Sequence, residues 1–148
     1  MLKEEIVGQL RDLIHLDGDA SHAYDQALQR IDHPGLREEL AAFADEHRRH
    51  VAALADLMRA FGAEPPARDR DFRGFLLEGF TTLRSLTGVQ GALEAMQSNE
   101  ILTNNRYAEA NRLDFPRDVR RVVERHFEDE RRHLGRIKQL LDELSGVA

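Results

Sequence analysis

The chain repeats one polar pattern at an interval of 83 residues, and this repeat restricts the possible folds more than any other feature. The matched pairs are Asp17 and Glu100 (100 − 17 = 83), Tyr24 and Tyr107, and His50 and His133. The segments that contain the two histidines also correspond, DEHRRH at 45–50 and EDERRH at 128–133. The repeat indicates that one hairpin was duplicated, and that the two copies pack about a pseudo-twofold axis.

The hairpin is helical, because apolar residues recur at spacings of three and four along nearly the whole chain. No segment alternates with a period of two for long enough to form a strand. The predicted helices cover residues 2–31, 36–61, 89–113 and 117–145. The buried stripe of the last helix is predicted to contain Val119, Val123, His126, Glu130, His133, Ile137, Leu140 and Leu144. The fold class is therefore all-α.

Two of the connections are tight and the middle one is long, which selects a particular type of bundle. Residues 62–88 form the crossover, and they begin with a linker at 62–71. A short, phenylalanine-rich helix is expected at 72–86, where it covers the bundle or forms a homodimer interface. Two hairpins joined by a long crossover form a ferritin-like antiparallel four-helix bundle. With 148 residues, we expect one domain over 1–148.

Polar residues interrupt each of the four apolar stripes near its middle. The six residues are Asp17 in the first helix, His47 and His50 in the second, Glu100 in the third, and Glu130 and His133 in the fourth. Buried carboxylates without partners cost several kcal/mol and repel one another, and bound cations remove that cost. The stripes therefore predict a metal site at one level of the core. The alternative is a hydrogen-bonded polar core that holds no metal.

The same residues carry a resemblance to the ferritin-like, rubrerythrin-related superfamily, and in particular to a small bacterial branch of it. The superfamily pattern is a carboxylate on helices 1 and 3 and Glu-x-x-His on helices 2 and 4. Asp17 and Glu100 match the two single carboxylates, and Glu130 with His133 matches the last motif. The segments LIHLDGDASHAYDQAL and NNRYAEANRLDFPRDVRRVVERHF extend the resemblance to nearly the whole chain.

The chain departs from this pattern at two positions. Asp17 is one methylene shorter than the usual glutamate, and His47 stands where helix 2 normally supplies a glutamate. A carboxylate can bridge two metal ions, whereas a neutral imidazole gives one nitrogen to one ion. We therefore expect a weaker second metal position or a single-metal site. Glu46 is a possible substitute, although it lies one position off the stripe.

Residues around the candidate ligands are expected to have supporting roles. Tyr24 and Tyr107 are expected to hydrogen-bond to ligand carboxylates, with ordinary aromatic packing as the alternative. His126 lies one turn before Glu130 and is expected to be a satisfied core histidine or to support the site, with metal ligation as the alternative. Iron is the first candidate cofactor, with zinc and manganese as alternatives. Bound iron would imply oxidation of Fe(II) by dioxygen or peroxide. The rival function is a non-enzymatic helical bundle, structural, stress-related or partner-binding, with a vestigial or structural metal site.

Composition excludes several other classes of function. The chain has no cysteine, so thiolate metal sites, disulfides and cysteine nucleophiles are ruled out. The formal net charge is −6 and basic residues are interspersed with acids, which argues against nucleic acid as a partner. No segment is apolar enough for a membrane span or a signal peptide. We therefore expect a cytoplasmic protein whose partners are metal ions and a small oxidant.

Overall fold

Residues 1–67 and 88–146 are described by a computed structural model, and they form four long helices. The helices are α1 (Lys3–Leu28), α2 (Pro34–Ala60), α3 (Gly88–Ala110) and α4 (Arg117–Leu144). No strand occurs within these two ranges. The all-α prediction is confirmed, and the predicted helix ends differ from the observed ends by at most three residues. The short helix predicted at 72–86 lies outside the described residues.

Local sequence signals explain where α1 and α2 begin and end. The backbone N–H of Leu2 donates to Oε2 of Glu5 at 2.8 Å, which satisfies a free amide at the start of α1. His33 does the same for α2, because its Nδ1 accepts from the backbone N–H of Leu36 at 3.2 Å. Gly62 follows α2 with φ of 76°, a left-handed conformation that favours glycine after a helix end.

The helices pack as two hairpins, α1 with α2 and α3 with α4. Between the hairpins, α1 packs closely on α3, whereas α2 and α4 approach each other at fewer positions. This is the ferritin-like antiparallel bundle that the repeat predicted. The looser contact between α2 and α4 matters for the site, because both helices carry two of its residues.

The core is divided into two apolar clusters that lie toward opposite ends of the bundle. Tyr24, Leu40 and Met96 belong to one cluster, together with residues from the C-terminal half of α4. Leu10 and Leu54 belong to the other, which also includes the N-terminal part of α4. The polar residues that interrupt the stripes lie between the two clusters. Apolar packing on both sides therefore limits the access of water to that level.

The predicted stripe of α4 is correct except at its end. The seven stripe residues that end with Leu140 are all buried, but Leu144 is 53% exposed. The prediction for Leu144 is wrong because Leu141, one residue after Leu140, takes over the packing at the end of the helix. In the described parts of the chain, no helix has the length and apolar character needed to cross a membrane.

Candidate metal centre

The six predicted ligands meet at one level in the middle of the bundle, and all four helices contribute to them. Asp17 comes from α1, His47 and His50 from α2, Glu100 from α3, and Glu130 and His133 from α4. The most exposed of the six is His50, at only 3%. The structure thus brings together every residue that the stripes singled out. Ligation of a metal ion by these residues stays a prediction.

Nitrogen and oxygen atoms of these residues form two overlapping groups, and within each group all the atoms lie within 4.8 Å of one another. The first group is Asp17, His47, His50 and Glu130, and the second is His47, Glu100, Glu130 and His133. Glu130 belongs to both, with Oε1 at 3.2 Å from Nδ1 of His50 and Oε2 at 3.6 Å from Nδ1 of His133. Its two oxygens thus face two adjacent places where a cation could bind.

His47 lies at the centre of the cluster, where the superfamily pattern has a glutamate. Its Nδ1 is 2.8 Å from Oδ1 of Asp17, and its Nε2 is 3.1 Å from Oε1 of Glu100. A protonated imidazole can donate to both carboxylates at once. Without metal, His47 is therefore a cation placed between the two carboxylates that come from the two hairpins.

Two buried polar atoms within the cluster lack a hydrogen bond. They are Oε1 of Glu130 and Nδ1 of His133. The nearest carboxylate oxygen to Nδ1 of His133 is Oε1 of Glu100, at 3.4 Å. Buried polar groups are rarely left without a partner, and a bound cation would satisfy both atoms. The residues present therefore fit a metal ion.

In both halves of the repeat, a tyrosine hydroxyl donates a hydrogen bond to the carboxylate that comes from the other hairpin. The hydroxyl of Tyr24 donates to Oε1 of Glu100 at 2.5 Å. The hydroxyl of Tyr107 donates to Oδ2 of Asp17. Both tyrosines are fully buried. The predicted hydrogen bonds to carboxylates are therefore present, and each one fixes the orientation of a candidate ligand.

Two polar residues of α3 also contact the cluster, although the sequence interpretation did not select them. Oγ1 of Thr103 lies 3.0 Å from Oε2 of Glu100 and 3.1 Å from Oε2 of Glu130, and its single proton can go to one of them. The side-chain amide of Asn104 donates to the backbone carbonyls of Glu100 and Glu130. These contacts tie α3 to α4 at the level of the site.

Two acidic residues contact the outer ring nitrogens, Nε2, of His50 and His133. The sequence interpretation did not predict this role. Nε2 of His133 is 2.8 Å from Oε2 of Glu46, and Nε2 of His50 is 2.9 Å from Oδ2 of Asp129. Arg132 bonds to both acids. A neutral imidazole that donates through Nε2 keeps the lone pair of Nδ1 for a metal ion. The repeat did contain a signal for this shared role, because Glu46 and Asp129 are also 83 residues apart (129 − 46 = 83).

The pKa values describe a metal-free site in which the imidazoles hold protons. Burial opposes a charge on His50, but the carboxylates of Asp17 and Asp129 outweigh burial and raise its pKa to about 12. Burial is likewise outweighed at His133, where Glu100 helps to raise the pKa to about 9. Because metal ligands must be deprotonated, metal binding has to displace these protons.

The pKa values of two of the carboxylates, Asp17 and Glu100, are lowered instead of raised. Burial alone would raise the pKa of Asp17 and Glu100, but the imidazolium of His50 beside Asp17 and that of His47 beside Glu100 hold both pKa values well below their usual range. Glu130 is different, because burial dominates there and raises its pKa to about 6. Burial and the neighbouring charge of Glu100 thus disfavour the ionised form of Glu130, and a bound cation would favour it.

His126 lies beside the cluster and belongs to neither group. Its ring stacks on that of His50, with the ring centroids 3.8 Å apart, and its Nδ1 is 3.1 Å from the hydroxyl of Tyr107. Burial and the charge on His50 lower its pKa to about 3, so the ring is neutral. His126 thus contacts His50 and Tyr107, and its role beside a metal ion stays a prediction.

Comparison with known proteins places this chain in a family. Residues 5–113 match the family described as a domain of unknown function, DUF2383. The chain belongs to this family. No curated protein matches the sequence of this DUF2383 member.

The DUF2383 chain also resembles solved structures. One is the bacterioferritin-related protein from Bacteroides fragilis, described as a dodecameric thioferritin, with a TM-score of 0.78 and 14% identity over 98% of this chain and 89% of that one. Another is a ferritin-like, diiron-carboxylate protein from Bacillus anthracis strain Ames, with a TM-score of 0.71 and 16% sequence identity. The match covers 95% of this chain and 99% of that one. At these identities the likeness establishes a ferritin-like fold. Together with the buried cluster, it suggests metal binding.

Proposed function

We propose that this chain is a ferritin-like metal-binding protein that holds one or two divalent ions at the cluster and, with iron, oxidises Fe(II). The observation that carries the proposal is the pair of overlapping ligand groups around Glu130, whose Oε1 has no hydrogen bond. His133 adds a second such atom, Nδ1. Both atoms are buried within the cluster, where a bound metal ion would satisfy them.

Each residue has a definite task in this proposal. Asp17 and His50 would bind an ion in the first group, and Glu100 and His133 would bind one in the second. Glu130 would bridge the two positions with its separate oxygens. His47 would give a single nitrogen to one ion, so three carboxylates would face a charge of +4 if both positions were filled. We therefore expect the two positions to differ in affinity.

Iron is the first candidate for the metal. The Bacillus anthracis relative is described as a diiron-carboxylate protein, and a mixed set of imidazole and carboxylate ligands suits iron, zinc and manganese. When bound as Fe(II), iron would supply the electrons that reduce dioxygen or peroxide. The chain itself would orient the ligands through Tyr24 and Tyr107 and exclude bulk water. With no cysteine for an electron-transfer centre, further turnover would need an external reductant.

The alternative is a non-enzymatic bundle with a structural metal ion or none. The position of His47 favours this reading, because its imidazolium neutralises Asp17 and Glu100 without a metal. Addition of Fe(II) to metal-free protein in air separates the two functions. Ferric absorbance that rises faster than in buffer, in proportion to protein, supports the oxidase. A rise equal to that of buffer contradicts it.

Elemental analysis tests metal binding directly. Protein purified without a metal-affinity step is expected to contain one or two ions per chain. The double variant Glu130→Ala/His133→Ala removes the bridging carboxylate and an imidazole, and is expected to contain none. A matched control, Glu128→Ala/His22→Ala, removes one exposed glutamate and one exposed histidine and should keep its metal. Equal metal in the E130A/H133A and wild-type proteins would reject the site.

A further inference from the structure

A surface pocket of about 280 Å³ lies between α2 and α4, directly outside the cluster. Its lining residues are Glu46, Arg49, His50, Ala53, Val122, Arg125, His126 and Asp129. The buried rings of His50 and His126 form its inner wall. His50, a member of the first ligand group, therefore lines this pocket and lies between it and Asp17.

The repeat predicts a matching pocket on the opposite side, and that place is filled instead. Subtraction or addition of 83 pairs Ala53 with Arg136 and Val122 with Glu39. Nε of Arg136 lies 2.5 Å from Oε1 of Glu39, and the two side chains are only about one third exposed. A half-buried ion pair between α2 and α4 thus occupies the space that two small apolar residues leave empty on the pocket side.

The rings behind the two outer histidines are alike in their packing. His126 stacks on His50 with centroids 3.8 Å apart, and its counterpart Phe43 stacks on His133 with centroids 4.3 Å apart. Arg132 adds a further cover on that side, because it bonds to Glu46 and Asp129. Its counterpart, Arg49, is exposed and has no ion pair among the residues that the structure describes. The differences at Ala53, Val122 and Arg49 leave the His50 side more open, whereas Arg125, whose counterpart is Ala42, adds a longer side chain at its rim.

We propose that metal ions enter and leave the cluster through this pocket, so that the Asp17–His50 half exchanges with solvent before the other half. The pocket gives the imidazole of His50 room to rotate outward, and that rotation opens the way to Asp17. His133 has no such room, because the Arg136–Glu39 pair occupies the corresponding space. The inference rests on the proposed metal binding and adds a route to it.

The charges around the pocket are compatible with a cation. Glu46 and Asp129 lie at its inner end, where their side chains are 17% and 34% exposed. Arg49 and Arg125 lie at the exposed rim, where solvent and salt screen their charge. An entering ion is therefore drawn toward the acids that already hold the outer nitrogens of the two histidines.

The experiment transfers the ion pair from the closed side to the pocket. The variant Ala53→Arg/Val122→Glu recreates the Arg136–Glu39 pair there, and Co²⁺ uptake into metal-free protein is followed by stopped-flow absorbance. We expect uptake slower by roughly tenfold, which corresponds to about 1.4 kcal/mol on the barrier. The amount of Co²⁺ bound at equilibrium should be unchanged. Ala53→Phe, which fills the pocket without charge, is expected to slow uptake as well.

A rescue variant distinguishes a blocked route from general damage. Adding Glu39→Val and Arg136→Ala to the A53R/V122E protein moves the opening to the other side, and is expected to restore fast uptake. Uptake at the wild-type rate in A53R/V122E and A53F, with normal Co²⁺ content, would overturn the entrance while leaving metal binding intact. Absence of Co²⁺ binding in the wild-type protein would reject the proposed function and the entrance with it.

Discussion

His47 makes this centre electrostatically unlike one with four carboxylates. It touches Asp17 through one ring nitrogen and Glu100 through the other, so the metal-free cluster already contains a cation where a ferritin-like site usually has an anion. Burial alone would keep the ring neutral, but Glu130 and Glu100 raise its pKa well above the usual value. His47 therefore stabilises the metal-free state and competes with the metal for the same carboxylates.

Replacement of His47 by glutamate should reverse this balance. The fourth carboxylate is expected to raise the metal content of His47→Glu to two ions per chain, because four negative charges match a charge of +4. Without metal, the same change leaves buried carboxylates without a cation, and should lower the free energy of unfolding by about 3–5 kcal/mol. Urea denaturation with and without metal measures the stability effect.

His47→Gln is the matched control, since it removes the positive charge without adding a negative one. It should lose stability without metal and gain no second ion. An H47E protein that is as stable as wild type when metal-free, or that binds no additional metal, would contradict this account of the centre.

Along a helix, the contribution of an apolar residue to the free energy of unfolding depends on how deeply its side chain is buried. Ile137 and Leu144 both belong to the predicted stripe of α4, but Ile137 is fully buried and Leu144 is half exposed. Ile137→Ala should therefore lower the free energy of unfolding by about 2–5 kcal/mol, the usual cost of a large-to-small change in a core. Leu144→Ala should change it little.

Chemical denaturation of the two variants, compared at one pH without metal, measures this difference. Each variant serves as the control for the other, because both remove a similar apolar side chain from one helix. Equal losses for I137A and L144A would show that the end of α4 is packed in solution against something that the described residues do not include.

The helices and their inward faces could be read from the sequence because the 3.6-residue period acts locally. The six candidate ligands followed for the same reason, since each one interrupts a stripe. The contacts of Glu46 and of Arg136 could not be read in this way, because both cross from one hairpin to the other. Such contacts depend on the rotation and separation of α2 and α4, which no spacing within a single helix specifies.

For the molecule as a whole, the buried charges link stability to pH and to metal. A histidine with a raised pKa in the folded state stabilises the fold below its unfolded pKa, near 6.5, and loses that contribution as the pH rises through the folded value. For His133, whose pKa is about 9, the window runs from about pH 6.5 to 9. The carboxylates of Asp17 and Glu100 have lowered pKa values and lose their contribution only in acid.

Metal-free protein should therefore become less stable between pH 6.5 and 9, by up to about 3 kcal/mol for His133 alone. Metal-loaded protein should not, because the ion has already replaced the proton. Denaturation at several pH values, with a chelator or with bound metal, tests both statements. The E130A/H133A variant should show a weaker pH dependence in the chelator series. The same slope in the metal-free and metal-loaded proteins would contradict the linkage.

The covalent joining of two similar hairpins has a consequence for how the molecule can change. In a dimer of identical hairpins, each substitution appears on both sides of the axis. In one chain, Phe43 can differ from His126, and the Arg136–Glu39 pair can differ from Ala53 and Val122. A single polypeptide can thus acquire two different faces around one shared polar cluster, and either face can change in sequence while the other keeps the architecture intact.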